Sequence, residues 1–274
     1  MSSLTLVTQY VCSKFANLWK LKKEMSHKRK AEEEPDNQSA EKKHKAAAAA
    51  DGEKKPAQIT IACGDDKATV NLEMLRLFCK NPLLSTDGIG VEPLQDGGVL
   101  ALDKKTLPFI TAHDLYAFAH VMNNPFNIAE TLKETETGLA NRIGVFLLCD
   151  YLDVQPMLCT VIMDAAIFSY VTDNPPMDSL SINKWGLMAS RLSGAMRGKN
   201  ANRDHVRGYA WSLAILVVAF NANHNVDRSS QIPDCFDNKQ LLWDTTRAQI
   251  FVEKQDTGRW SVNHDGIVSM LQRV

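Results

Sequence analysis

Residues able to do chemistry are few and widely spaced in this 274-residue chain. His113 and His120 stand seven apart, so a helix would put them on one face. No acidic or cysteine partner sits at ligand spacing to complete a metal site. Cys149 and Cys159 lie inside apolar runs, whereas a reactive thiol needs a polar, cationic setting. Asp150 and Asp153 belong to LLCDYLDVQPML, residues 147–158. Two carboxylates at i, i+3 on a helix end serve solvation and capping more readily than acid–base work. There is no Walker A loop, GxSxG or HExxH, and TDGIG and QDGGV lack the strand–helix context of a phosphate cradle. The basic patch of the ordered part is RLSGAMRGKNANRDHVR, residues 191–207, with Arg191, Arg197, Lys199, Arg203 and Arg207. It reads as an exposed loop between helices that can meet acidic protein or phosphate. Trp185, Trp211, Trp243 and Trp260 read as core anchors. Basic residues and aromatics are not interleaved, so direct nucleic-acid contact is not expected. The chain therefore reads as a non-enzyme, with no catalytic residue, cofactor or metal expected.

The elements that hold these residues come from an ordinary globular composition, 45% hydrophobic and 23% charged with net charge −1. That size implies one or two domains, and the balance excludes polyanion binding by bulk charge. Six cysteines without a CxxC point to free thiols in a reducing compartment. The longest apolar run, YAWSLAILVVAF (209–220), is shorter than the ~20 residues of a spanning helix, so no membrane partner is expected. The start lacks the basic-then-apolar layout of a secretory signal. Within residues 1–23, Leu4, Val7, Val11, Phe15 and Leu18 would share one face of an amphipathic helix. Residues 24–57 are charged, repetitive and nearly free of large apolar side chains. Such a segment cannot bury enough surface to offset its ordering entropy, and it reads as a disordered linker. It carries two basic clusters, Lys28, Arg29, Lys30 and Lys42, Lys43, Lys45, which suit a nuclear-import receptor. The expected location is nucleus and/or cytoplasm.

Order is predicted from Gln58. QITIACG and ATVN read as a hairpin around GDD. Asn71 caps a helix through LEMLRLFCK that Pro82 would stop at Asn81. A loop leads to a short strand at GVLALD. Thr111 to Asp114 matches a capping box, followed by Leu115, Phe118, Ala119 and Met122 on one face. After NNP a long threonine-rich loop is expected, then helices over about 138–152 and 156–171. In the second of these, Met157, Val161, Ala165 and Phe168 are predicted to line the apolar face, widened by Leu158 and Ile162. Asp153 is expected to help cap the amides opening that helix. Further helices are predicted at INKWGLMASRLSGAM and 203–222, then a hairpin in QIFVEKQDTGRWSVN and a closing helix at DGIVSMLQR.

Over residues 58–171 the order strand, strand, helix, strand, helix, loop, helix, helix resembles the BTB/POZ fold. It resembles especially the compact branch of cullin-RING ligase adaptors, whose penultimate helical hairpin carries LLxAAxYLDIxxLL. FLLCDYLDVQPML (146–158) stands at that motif here, with Asp150 where the family has a small residue. The resemblance implies an α+β protein: a BTB/POZ-like domain over 58–171 and a mainly helical extension over 172–274 with a C-terminal β-hairpin. It implies a non-catalytic protein–protein interaction module, an adaptor for a cullin-type scaffold or a nuclear regulatory complex. It maps partner contact onto Asn123, Asn124 and Phe126, and allows self-association as a dimer. Two other classes stay open: an enzyme or small-ligand-binding protein with a site assembled from distant residues, and a nuclear DNA-associated factor.

Overall fold

The computed structural model describes residues 56–80, 94–125, 127–134, 138–173, 177–198, 202–222 and 238–273. The amphipathic segment 1–23, the linker clusters at Lys28, Arg29, Lys30, Lys42, Lys43 and Lys45, and also Phe126 and Lys199, lie outside these residues. Ala57–Val274 is one compact unit, of α+β class.

Strands β1 (Gln58–Cys63) and β2 (Asp66–Asn71) form the predicted hairpin, with Ile59 opposite Val70 and Ile61 opposite Ala68. Gly64 turns it in the left-handed region, at φ 66°, where a residue without Cβ is unstrained. β3 (Val99–Leu102) returns parallel to β1, giving the order β2-β1-β3. Asn71 caps α1 (Leu72–Phe78), its Oδ1 accepting from the amides of Glu73 at 2.9 Å and Met74 at 3.2 Å. The helix ends three residues before the predicted stop at Asn81. Cys79 turns extended and forms an antiparallel bridge with Val154, so tertiary pairing ends the helix ahead of Pro82.

Helix α2 (Ala112–Asn123) opens with the predicted capping box. The Thr111 amide donates to Asp114 Oδ2 at 2.7 Å, and the Asp114 amide to Thr111 Oγ1 at 3.4 Å. Leu115, Phe118, Ala119 and Met122 are all buried, as the periodicity requires. The expected loop after NNP contains a short helix, α3 (Ile128–Glu134). Ile128 and Leu132, one turn apart, fasten it to the core, and two apolar anchors in seven residues are too few to declare a period.

Helices α4 (Leu139–Tyr151) and α5 (Pro156–Asp173) flank the corner. The buried face of α5 differs from the predicted one. Leu158, Ile162, Met163, Ala166, Ile167 and Tyr170 face the core. Met157, Val161 and Ala165 are half-buried, and Phe168 is exposed. α5 is apolar around most of its circumference, so periodicity could not choose a face; neighbours did. A Cβ on Gly208 would come within 2.5 Å of Met163 Sδ, so that glycine lets α7 approach α5 on the Met163 side.

Helices α6 (Ser179–Arg197) and α7 (Arg203–Ala222) follow, packed on each other and onto α4 and α5. Residues 172–274 are thus packed into the same unit as 58–171. Helix α8 (Lys239–Ala248) has no counterpart among the predictions. Its sequence, KQLLWDTTRA, is mostly polar, and Asn238 starts it by accepting from the amides of Gln240 at 3.1 Å and Leu241 at 3.2 Å. A 3-10 turn, Gln249–Phe251, takes Ile250 out of the predicted strand. The hairpin is accordingly shorter, β4 (Val252–Lys254) with β5 (Trp260–Val262), and α9 (His264–Gln272) closes the fold. Of the tryptophans expected in the core, Trp185 is fully buried, Trp211 and Trp260 are half-buried, and Trp243 is exposed.

Candidate partner-binding cleft

The corner between α4 and α5 is built by backbone chemistry. Asp153 has φ 51°, the only positive φ outside glycine among the described residues. The Val154 amide donates to Cys149 O at 2.9 Å, and the Asp153 amide to Asp150 O at 3.2 Å. That pair of bonds is a Schellman ending, with a left-handed residue satisfying the orphan carbonyls of the helix end. Aspartate stands where glycine is usual; it tolerates this conformation better than most side chains. This corrects the sequence reading of Asp153. Among the described residues its carboxylate caps no amide of α5, whose first turn bonds to Gln155 O instead.

The left-handed turn then lays Val154 and Gln155 across the end of α1. The Lys80 amide donates to Asp153 O at 3.0 Å, and the Gln155 amide to Phe78 O at 2.8 Å. Gln155 Nε2 donates to Leu77 O at 3.0 Å. The carbonyls left unpaired at the end of one helix are satisfied by the turn that follows another. Leu152 and Val154 are buried beneath. The corner's first service is therefore to lock the helical half to the strand–helix half.

Its second product is a cleft of about 170 Å3, walled by Phe146, Asp150, Val154 and Met163 on one side and by Arg191 and His205 on the other. Arg191 Nε lies 3.7 Å from Asp150 Oδ2, and both side chains are 37% exposed. Burial raises the Asp150 carboxyl above its ordinary 3.8, and Arg191 and His205 only partly offset this. His205 Nδ1 is buried and without a hydrogen-bond partner among the described residues. The cleft thus offers an apolar floor, one cation, one reluctant carboxylate and one unsatisfied ring nitrogen. It is smaller than the roughly 300–1,000 Å3 of small-molecule sites.

Three residues of the predicted basic patch face carboxylates, and Arg203 and Arg207 are exposed. Arg191 faces Asp150, and Arg197 NH2 lies 3.7 Å from Asp244 Oδ2. Arg207 acts on Asp164, whose carboxyl burial raises. Asn123 and Asn124 are exposed at the end of α2 but are held there. Asn123 Oδ1 accepts from the Asn71 amide at 2.8 Å, and Asn124 Nδ2 donates to His120 O at 3.2 Å. His120 stacks on Tyr116, with ring centroids 6.1 Å apart. Among the described residues, no group of His, Cys, Asp and Glu is arranged to hold a metal ion, and no helix is long and apolar enough to cross a membrane.

Sequence reading missed one pair of residues. Lys184 Nζ donates to Asp114 at 2.8 Å (Oδ1) and 2.6 Å (Oδ2), with both side chains fully buried. The signal lay in α6, where a lysine stands inside the apolar stripe Ile182, Trp185, Met188, Leu192. A charge at such a position needs a partner. Compared with family models, curated proteins and solved structures, the chain matches none of them.

Proposed function

We propose that this chain is a non-catalytic protein–protein interaction module. The observation that carries the reading is the outward face of α8 and the turn after it. Trp243 is 60% exposed and Ile250 74%, with Leu242 beside them. Leu242 and Trp243 project from α8 and Ile250 from the 3-10 turn that continues it, while Leu241, Asp244, Thr245 and Ala248 of the same helix are buried. Large apolar side chains gathered on a solvent face mark interaction surfaces, and tryptophan is enriched among the residues that dominate binding energy.

The finer reading is a BTB/POZ-like adaptor for a cullin-type scaffold, acting in nucleus or cytoplasm. It is supported by the run of elements from β1 to α5, which keeps the order of that fold with one short helix added. Asn123 and Asn124, with Phe126, remain the proposed contact. The test uses the full chain as bait in nuclear and cytosolic extract. Trp243→Ser/Ile250→Ser and Asn123→Asp/Asn124→Asp variants run alongside. Asparagine-dependent recovery of a cullin-type scaffold is expected if the adaptor reading holds. A stoichiometric partner lost only with the α8 variant would keep the module and discard the adaptor. A wild-type chain that stays monomeric and retains nothing overturns both.

A further inference from the structure

The cleft beside the α4–α5 corner is graded from apolar to charged. Phe146, Val154, Met163 and Leu192 line it and are at most 4% exposed, whereas the side chains of Asp150 and Arg191 are 37% exposed. The apolar groups therefore make the floor and the two charges the mouth. Arg191 Nε stands 3.7 Å from Asp150 Oδ2, which is beyond hydrogen-bond length. Among the described residues, neither side chain makes a hydrogen bond to any other group. Burial meanwhile raises the Asp150 carboxyl, as it does for a carboxylate short of donors. The cleft measures about 170 Å3, and an engineered cavity of about 150 Å3 holds benzene. On that scale it accepts a body of roughly six to ten non-hydrogen atoms.

We propose that the cleft is a binding site for a free apolar α-amino acid of the size of valine, leucine or methionine. The inference stands independently of which protein the outward face of α8 binds. In such a ligand the ammonium and the carboxylate hang from one carbon, so its two charges lie about as close together as Asp150 and Arg191 do. The ligand carboxylate takes the Arg191 guanidinium, whose planar fork of N–H donors matches it. The ligand ammonium donates to the Asp150 carboxylate. The apolar side chain runs inward over Phe146, Met163 and Leu192. Both charges of the mouth thus gain hydrogen-bonded partners, and no like charges are brought together. Other charge classes fail at one group. An aliphatic carboxylate would satisfy Arg191 but set its own charge against Asp150. Asp153, exposed and lining the same cleft, adds to that repulsion. An alkylamine would satisfy Asp150 but face Arg191. A neutral apolar ligand would strip water from both charges and return no hydrogen bond. His205 stands on the Arg191 side with Nδ1 unpaired among the described residues, so no hydrogen bond at that atom fixes its ring as the ligand enters.

The experiment titrates the full chain with L-valine, L-leucine and L-methionine in turn, followed by ligand-observed NMR. At least one should saturate with a Kd on the order of 0.1–1 mM, ordinary for so few atoms. Three controls should bind at least about tenfold more weakly. Glycine lacks the apolar body, 4-methylpentanoate is leucine without its ammonium, and isopentylamine is leucine without its carboxylate. Asp150→Asn and Arg191→Met should each weaken leucine and also change the preference, which a loss of packing alone would not do. With Asp150→Asn, 4-methylpentanoate should rival leucine; with Arg191→Met, isopentylamine should. Trp243→Ser/Ile250→Ser should bind leucine as wild type does. Saturation of the wild type by either single-charge analogue as readily as by leucine overturns the proposal. So does leucine binding that both charge variants leave unchanged, or no saturation by any of the amino acids up to roughly 10 mM, well above the weakest expected constant. The wild-type series decides even where a variant fails to fold.

Discussion

Helix α6 carries two cations seven residues apart, and each faces an aspartate from the first half of the unit. Lys184 meets Asp114 of α2 with both side chains fully buried and oxygens at 2.6 and 2.8 Å. Arg191 meets Asp150 of α4 at 3.7 Å, with both side chains 37% exposed on the cleft. The two pairs share chemistry and helix face; only their surroundings differ. Inside, the pair is an obligation. Burial pulls the Lys184 ammonium below its ordinary 10.5 against the attraction of Asp114, so neither partner can be left alone. At the cleft, water can replace either partner, and the groups stay free to meet something else.

The largest break in this comparison is Lys184→Met. It strands a buried carboxylate and should cost about 3–5 kcal/mol in urea unfolding. Adding Asp114→Asn should recover part of that loss, because Asn keeps acceptor and donor atoms for the Thr111 cap while removing the stranded charge. Equal losses in single and double variants would show that packing, and not charge, governs the seam. Gly144 is next. A Cβ there would run into the Asp114 carboxyl, so Gly144→Ala should destabilise by roughly 1–3 kcal/mol. In an open helix the same change would stabilise by about 1 kcal/mol, and the sign is the readout.

At the cleft the expected effects shrink. Asp153→Val forces a β-branched residue into the left-handed turn and should cost about 1–2 kcal/mol, whereas Asp153→Gly should be neutral or slightly stabilising. A double-mutant cycle on Asp150 and Arg191 should give roughly 0.2–1 kcal/mol, falling with added salt. The pH dependence follows from Asp150's raised carboxyl. A carboxyl whose folded value lies above its unfolded one disfavours folding where it is charged; this penalty fades as pH falls through the raised folded value and is gone below the ordinary 3.8. Asp150→Asn should therefore be slightly more stable than wild type at neutral pH, by roughly a few tenths of a kcal/mol after solvent screening. The two should melt alike in acid, and a gap that widens in acid would contradict the assignment.

Much of this frame could be read from the chain alone. The hairpin at Gln58, the capping box at Thr111 and the helices over the corner all follow from local rules that do not need the rest of the protein. What escaped has a common cause. The buried face of α5 is set by its neighbours, because a helix apolar all round has no period to read. Helix α8 is polar enough to resemble loop until Asn238 is seen holding its first amides. Asp153 looked like a cap for the helix ahead, but its backbone conformation ends the helix behind. The ion pair of Asp114 and Lys184 is invisible at a separation of 70 residues, although a lysine inside an apolar stripe announces that a partner must exist.

That separation also sets a clock. Synthesis at ~5–20 residues per second puts about 4–14 s between the making of Asp114 and of its lysine. Through that interval the nascent chain holds a carboxylate that cannot be sealed from water, so α2 cannot settle into its final bed. Ribosome-bound chains arrested before α6 should be cut readily by protease within α2, and chains arrested after α7 has emerged should resist. The buried pair acts as a latch in time, keeping the first half of the protein open until the second half has arrived to close it.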